Sequence, residues 1–379
     1  MNFNFMATTI TGFEDIAAGE IEEILGVKVE PDVGKVFFSS NLNAIYVLNL
    51  NGRCLHKVFL VLGILKFKNL DDIYRETRRI DYGWIINPNQ SFAVRAERHG
   101  FHTFTSLDVA AIVGKAIIES FLEAYNVRLK VNLKNPDVEF YALVKNSKFI
   151  LGLNTTGESL HRRGYRVYSH PAALKTSLAC CLIRYSGWKF NQALLDPMCG
   201  GGTIPIEAAL MAKQKPLNSF KHDFAFFKLK FFDKEEYEKI CEKFRKKKVE
   251  NLKVYGIDIS SKHLNGAVMN AKSAGVYDDI VFILGDARKL KKYVNFNPEH
   301  VIVNPPYGVR SLRRRAIEKL YKDFLFSVKE ISENTTLTLI TNAWVEFESV
   351  LKELNVQDVE EKTVMHGNLP TKVFKCKIP

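Results

Sequence analysis

Apolar and polar positions change their spacing along the chain, and the change divides it into two parts. In the first, strand-like and helix-like stretches are mixed. Phe3–Thr9 reads as a strand, Ala17, Ile21, Ile24 and Leu25 form one apolar helix face, and Gly34 precedes a Val36-Phe37-Phe38 strand. Residues 41–50 fit a second helix and 56–67 a long β-rich run. A second α+β unit then begins with 92–97, where Phe92, Val94 and Ala96 alternate with Arg95 and Glu97. A helix is predicted over 106–125, with Asp108 near its start, and further strands over 127–133 and 138–144.

From Ala172 onward the pattern changes to helices alternating with short apolar strands, at 193–195, 254–259, 280–284, 301–303 and 337–340. Such strands predict a parallel sheet covered on both faces. Two last β-like stretches, 363–365 and 372–378, flank Gly367-Asn368-Leu369-Pro370 and predict a hairpin that adds an antiparallel strand to the sheet edge. The main boundary falls at 155–170. Residues 218–253, aromatic over 220–232 and basic at Arg245-Lys246-Lys247-Lys248, read as an insertion before the second strand of the sheet.

Length and composition narrow the class. A chain of 379 residues suits two or three domains, and 46% hydrophobic residues suffice for sizeable cores. Lys and Arg number 54 against 42 acids, a formal +12 that suits a polyanionic partner such as nucleic acid. Apolar runs such as 58–65 fall far short of the about 20 residues of a bilayer span. The amino-terminal stretch lacks a basic region followed by an apolar core, so a cytoplasmic protein without a membrane partner is expected. The cysteines Cys54, Cys180, Cys181, Cys199, Cys241 and Cys376 make no CxxC pair and no His cluster completes a zinc spacing. Reduced thiols and no metal are the expectation, with a monomer as the default state.

Candidate chemistry gathers at strand ends. A strand finishing at Asp196 runs into Pro197-Met198-Cys199-Gly200-Gly201-Gly202, and a helix opens at Thr203. Glycines let the backbone approach a ligand, and a helix start presents free amides. Neither GxGxxG nor GxxxxGK[ST] is present, which excludes dinucleotide and P-loop signatures. Asp258 ends the next strand, where an acid can take a ribose diol, and Asp286 ends the third, within reach of an adenine amino group. About 55 residues separate Gly202 from Asp258, against about 20 in common nucleotide-binding domains, which the insertion explains.

After the fourth strand comes Asn304-Pro305-Pro306-Tyr307-Gly308-Val309-Arg310. Two prolines fix φ and remove two donors, Asn304 adds a side-chain acceptor and Tyr307 a flat ring. Such a loop suits a planar substrate with an exocyclic amine. Asn304 and the Pro305 carbonyl can accept both amino hydrogens, while stacking on Tyr307 is worth roughly 1–3 kcal/mol. Pinning those hydrogens aims the nitrogen lone pair at an electrophilic methyl, as on the sulfonium of S-adenosylmethionine. Asn304 is no base near pH 7, so the proton leaves late, to water. Arg162, Arg163 and Arg166 before this fold, and Arg310, Arg313, Arg314 and Arg315 after the proline loop, suit phosphate contacts. His99 and His102 are either RNA contacts or turn residues, and Cys199 reads as a small loop residue rather than a nucleophile.

On these motifs residues 171–379 resemble a class I S-adenosylmethionine-dependent methyltransferase, with 196–203 as the cofactor loop. Leu160-His161-Arg162-Arg163-Gly164-Tyr165-Arg166 and His170-Pro171-Ala172-Ala173-Leu174 resemble the segment preceding that fold in RNA guanine-N2 methyltransferases. Arg98-His99-Gly100-Phe101-His102-Thr103-Phe104-Thr105-Ser106, the helix after it and Asn135-Pro136-Asp137-Val138 resemble a THUMP domain. The resemblance implies an α/β, Rossmann-like methyltransferase domain at 171–379, with a parallel sheet and a C-terminal antiparallel hairpin. An α+β region precedes it: a ferredoxin-like unit at 1–60, THUMP at 61–155 and a linker at 156–170.

The group making N2-methylguanosine at position six of tRNA fits best, with tRNA held by its acceptor stem and 3′ end through THUMP and the target base flipped out. The Asn304 form also resembles ribosomal-RNA guanine-N2 enzymes, whereas enzymes acting at tRNA position ten carry Asp there. A guanosine in ribosomal RNA or at another tRNA position, or a non-catalytic THUMP RNA-binding protein, are the alternatives. The implied cofactor contacts are Asp196, Met198, Cys199, Gly200, Gly201, Gly202, Thr203, Asp258, Ile259, Asp286, Ala287 and Asn304. Asn304, Pro305 and Tyr307 are the implied catalytic set, and Pro306, Tyr307, Arg310, Arg313 and Arg314 the substrate contacts.

Overall fold

A computed structural model describes residues 2–244, 251–306, 314–332 and 334–378. The chain forms two compact units. One holds Met1–Thr8, Ala18–Leu160 and Lys221–Lys243, and the other Thr9–Ala17, His161–Phe220 and Phe244–Pro379.

The first unit is built from β1 (Phe3–Thr9), α1 (Glu14–Leu25), β2 (Val29–Asp32), β3 (Lys35–Ser40), α2 (Ala44–Asn51), β4 (Leu55–Lys66), α3 (Leu70–Arg78), β5 (Ser91–His99), α4 (Ser106–Tyr125), β6 (Lys130–Val131), β7 (Val138–Lys145) and β8 (Lys148–Asn154). Its strands make one sheet in the order β2-β3-β1-β4-β8-β7-β5-β6, so the predicted ferredoxin-like and THUMP regions share a continuous sheet. That sheet is rolled. Lys35 of β3 reaches Glu97 of β5 at 3.5 Å, and Lys145 of β7 reaches Asp32 of β2 at 2.6 Å. In a flat sheet with about 4.8 Å between strands, β3 and β5 would lie about 24 Å apart. The concave side encloses Met6, Phe59, Leu143 and Ile150.

Helix α4 has the predicted bounds, and its start is fixed by a capping box. Thr105 Oγ1 accepts from the Asp108 amide at 3.2 Å, and Asp108 Oδ2 from the Thr105 amide at 2.7 Å. Four readings of this half are corrected. The predicted strand 127–133 shrinks to the two residues of β6, while β2, β8 and α3 were not anticipated. Helix α3 is only nine residues long, and its apolar stripe of Leu70, Ile73 and Tyr74 is too short to stand out among the charges around it.

The second unit contains α5 (Thr176–Ser186), β9 (Leu194–Asp196), α6 (Thr203–Ala212), β10 (Val254–Asp258), α8 (Ser261–Ala274), β11 (Ile280–Leu284), β12 (His300–Val303), α9 (Arg314–Lys329), β13 (Thr335–Thr341), α10 (Trp344–Glu353), β14 (Glu360–His366) and β15 (Leu369–Ile378); α7 (Lys234–Phe244) lies within the insertion. The sheet order is β11-β10-β9-β12-β13-β15-β14, parallel through β13 and then antiparallel as predicted, although Leu369 and Pro370 belong to β15 rather than to the turn. On one face Leu195, Ile257, Val301 and Leu337 pack with Tyr321 and Phe324 of α9 and Phe347 of α10. This is the Rossmann-like class I methyltransferase architecture. Among the described residues no helix is long and apolar enough to cross a membrane.

The insertion sorts with the first unit. Phe226, Phe232 and Tyr237 surround Tyr46 of α2 at ring-centroid distances of 5.2, 5.9 and 5.8 Å. The Phe226 amide donates to the Thr155 carbonyl at 2.9 Å, and the Lys230 amide to that of Ile85 at 2.9 Å. Residues 245–248, the basic run, lie outside the described residues.

Candidate functional site

In the second unit the first strand, β9, is flanked by β10 on one side and β12 on the other, so the strand order reverses there. Ligands of open α/β sheets bind at such a point, outside the carboxyl ends of the strands. A cavity of about 500 Å³ opens there, and the glycine loop, Asp258, Asp286 and the double-proline loop all line it. The two loops on which the sequence reading depends therefore face one space.

The glycine loop is held from below by carboxylates. Asp258 accepts the Gly200 amide on Oδ2 and the Ser260 amide on Oδ1, each at 2.8 Å. Asp196 is buried and accepts the Met198 amide at 3.2 Å. Burial, with the Asp258 charge adding to it, pushes the Asp196 carboxyl well above the usual carboxylate range. Gly202 starts α6 at φ 78°, a left-handed conformation that disfavours other residues, and a Cβ there would meet that of Ala267 at 2.9 Å. It stands behind the loop, and the cavity is lined instead by Met198, Cys199, Gly200, Gly201 and Thr203.

Cys199 is buried, and burial, with Asp196 and Asp258 adding to it, pushes its thiol well above the usual range. A thiol held neutral in this way is a poor nucleophile. Cys199→Ala should accordingly keep methyl transfer within about threefold of the parent; loss of all turnover would make the sulfur a participant.

Asp286, Ala287 and the exposed Ile259 line the far side. The Asp286 carboxylate is gripped by Arg288, whose Nε and Nη2 donate at 2.9 and 2.7 Å, which holds that carboxyl below its usual range. Asn304, Pro305 and Pro306 close the cavity from β12. Asn304 Oδ1 is buried and has no hydrogen-bond partner among the described residues. Tyr307, Arg310 and Arg313 lie outside the described residues. Arg314 opens α9 as an exposed side chain and pairs with Glu346 at 2.9 Å rather than lining the cavity.

Several lining residues were not singled out as contacts by the sequence: His170, Ala172, Ala173 and Leu174 from the segment before α5, with Ser260 and His263 at the start of α8, Arg288, and Leu320 of α9. Asn270 of α8 fastens that segment to the glycine loop. Its Oδ1 accepts the amides of Val167 and Tyr168 at 2.9 and 2.8 Å, and its Nδ2 donates to the Gly201 carbonyl at 2.9 Å. Tyr168 lies over Gly266, where a Cβ would come within 2.1 Å of its ring, and its hydroxyl meets His263 Nδ1 at 2.7 Å. The family-like signal at 160–174 was thus visible, but which cavity it walls was not.

The arginines before the fold divide. Arg163 is corrected from a phosphate contact to a core residue: its side chain is 2% exposed and its Nε pairs at 3.2 Å with Glu207, which is 0% exposed. Arg166 donates to the Leu174 carbonyl at 2.9 Å and to Thr203 Oγ1 at 3.1 Å, and Arg162 alone is exposed. Among the described residues no group of three or more His, Cys, Asp or Glu could hold a metal.

Comparison with known proteins agrees with this layout. Three family models match the chain: the RMKL-like methyltransferase domain over residues 163–372, the THUMP domain over 67–154 and the RlmL ferredoxin-like domain over 4–59. A protein of Methanocaldococcus jannaschii named tRNA (guanine(6)-N2)-methyltransferase is 42% identical, over 98% of this chain and 99% of its own length. At 30% identity, the ribosomal RNA large subunit methyltransferase K/L of Aliivibrio fischeri matches 89% of this chain, which spans about half (49%) of that relative. The crystal structure of a possible methylase from Clostridium difficile 630 superposes with a TM-score of 0.89 at 29% identity, covering 100% of this chain and 99% of that one.

Proposed function

The chain belongs to the RMKL-like methyltransferase family, and from that premise we propose that its cavity serves methylation of the exocyclic amine of guanosine in tRNA, at position six of the acceptor stem. It is an S-adenosylmethionine-dependent tRNA (guanine-N2)-methyltransferase. The observation that carries the site reading is Asn304 Oδ1, a buried acceptor without a partner among the described residues, on the wall of the cavity that the glycine loop also lines. Leaving such an atom unpaired costs roughly 1–3 kcal/mol, which an amino group entering the cavity would recover.

The cavity suits S-adenosylmethionine by volume and chemistry. About 500 Å³ accommodates a nucleoside with an amino-acid tail, and bare glycine backbone at Gly200 and Gly201 faces it. Asp258 would hold the ribose diol with the lone pairs left free by Gly200 and Ser260, and Asp286, oriented by Arg288, would accept from the adenine amine. When bound, that cofactor supplies an electrophilic methyl group on sulfur. Asn304 Oδ1 and the Pro305 carbonyl hold the hydrogens of the guanine amine and fix the direction of its lone pair. The base must leave its helix for that geometry, since a paired amine is already engaged.

Tritiated methyl transfer to tRNA, ribosomal RNA and DNA, with mass spectrometry of the labelled nucleoside and fragment mapping, tests this reading. N2-methylguanosine at position six of tRNA is expected; label confined to ribosomal RNA would move the substrate, and label in neither RNA would reject it. Asp258→Ala should raise the cofactor dissociation constant about tenfold or more by titration calorimetry, because a charge-assisted pair and the Gly200 anchor go together. An unchanged constant would remove Asp258 from the ribose.

A further inference from the structure

The hairpin of β14 and β15 rises at the carboxyl ends of the parallel strands, on the side where the cavity opens. Val303, the last residue of β12, is level with Leu339 of β13, and Leu339 with Phe374 of β15. Strand β15 begins five residues before Phe374, at Leu369. Its tip therefore stands about 13 Å beyond the level of Asn304, at about 3.3 Å per residue, and two strands or about 10 Å to the side.

The hairpin is stiff. Its pairs run from Glu360 opposite Lys375 to His366 opposite Leu369, and a two-residue turn with Gly367 at φ 67° closes it. The outer strand is braced from outside. The Met365 amide donates to the Thr11 carbonyl at 3.0 Å, and Gly12 lies so close that a Cβ there would come within 2.1 Å of the Thr363 carbonyl oxygen.

This rigid tip presents an apolar side chain to solvent. Leu369 is 50% exposed, and the exposed Pro370 follows it. By alternation Leu369 shares a sheet face with Val373 and Lys375, and by pairing with His366. Helix α5 covers the lower part of that face, where the Lys375 and Lys362 ammoniums lie 5.2 and 5.7 Å from the Tyr185 ring centroid. Higher up, burial, with the charge of Lys175 adding to it, holds His366 below its usual range. Lys175 directly follows Leu174 of the cavity wall, so the hairpin tip belongs to the rim of the site.

We propose that Leu369 is a positioning residue for the reaction, a wedge that enters the acceptor stem and fills the gap the target guanine leaves in the stack. The amine to be methylated faces the minor groove, which in an RNA helix is wide and shallow enough to admit a hairpin tip. Extrusion loses the stacking and pairing of that base, and an apolar side chain between the neighbouring steps offsets part of the loss. The inference rests on a paired guanosine of tRNA being the substrate, yet one arm of its test needs no methyl transfer.

Fluorescence of tRNA carrying 2-aminopurine at the target position, mixed with the full chain, reads extrusion directly. The parent should raise it severalfold, Leu369→Ala should lose most of the rise, and Leu369→Met should restore it. In single-turnover methylation Leu369→Ala should be about tenfold or more slower on paired tRNA. It should stay within about threefold of the parent on tRNA lacking the base opposite the target, where pairing no longer opposes extrusion. A merely structural role would slow both. The cofactor dissociation constant and the melting temperature should not change, since the side chain is half exposed. An equal fluorescence rise with Leu369→Ala, no rise with the parent, or the same loss of rate on both tRNAs would each overturn the proposal. A parent that extrudes the base yet transfers no methyl group would instead sink the proposed function alone.

Discussion

Asn304→Ala is expected to lower the turnover of methyl transfer to tRNA by about 10²–10³, the range found when one preorganised polar group is removed from a reaction site. The cofactor dissociation constant should change by less than about threefold. The split follows from geometry. The carboxylates Asp196 and Asp258 and the backbone of the glycine loop stand at the ends of β9 and β10, whereas Asn304 closes the cavity from the end of β12. Its Oδ1 is committed to nothing else among the described residues, so alanine removes an acceptor without breaking an internal bond. Asn304→Asp should retain more activity than alanine, because both carboxylate oxygens accept. Single-turnover kinetics beside titration calorimetry separate the two constants, and turnover within threefold of the parent would take Asn304 out of the reaction.

The floor and one wall of this cavity were legible because their signals are local. Asp196, Asp258 and Asp286 end three successive strands, and strand ends can be read from short apolar runs. Glycine after Asp196 and proline after Asn304 mark the loops by backbone chemistry alone. The opposite wall was not legible, because no local rule says that His170 and Leu174 fold back beside Gly200, or that Asn270, about 100 residues later in sequence, ties them there. Where the insertion packs was hidden for the same reason. Its aromatic residues announce burial but not where, and they pack around Tyr46 of α2 within the first unit. A cut at residue 155 would therefore strip Phe226, Phe232 and Tyr237 of their cover as well as removing the THUMP region. The rolled sheet likewise depends on Lys35 meeting Glu97 and Lys145 meeting Asp32, pairs set by twist rather than by spacing.

Charge was the least legible signal of all, and Arg163 shows why. Its replacement by methionine should destabilise the second unit by about 3–5 kcal/mol, the range for breaking a buried ion pair by removing one partner. For a unit of this size that corresponds to a melting temperature about 6–20 °C lower. Glu207, on the fully buried helix α6, would lose the guanidinium that pairs with it at 3.2 Å, while Tyr165 still donates to its Oε1 at 2.8 Å and the Cys180 thiol approaches its Oε2 at 3.2 Å. Removing both members, as Arg163→Met with Glu207→Leu, should recover much of the loss, because no uncompensated charge then stays in the core. Helix α6 begins at the glycine loop, so the single variant should also weaken cofactor binding, and the double variant should restore part of it. A surface phosphate contact predicts the reverse pattern: weaker RNA binding, a shallower salt dependence and an unchanged melting temperature. Calorimetric melting of the two variants with RNA titrations at two salt concentrations decides between them, and an unmoved melting temperature for Arg163→Met would return this arginine to the RNA.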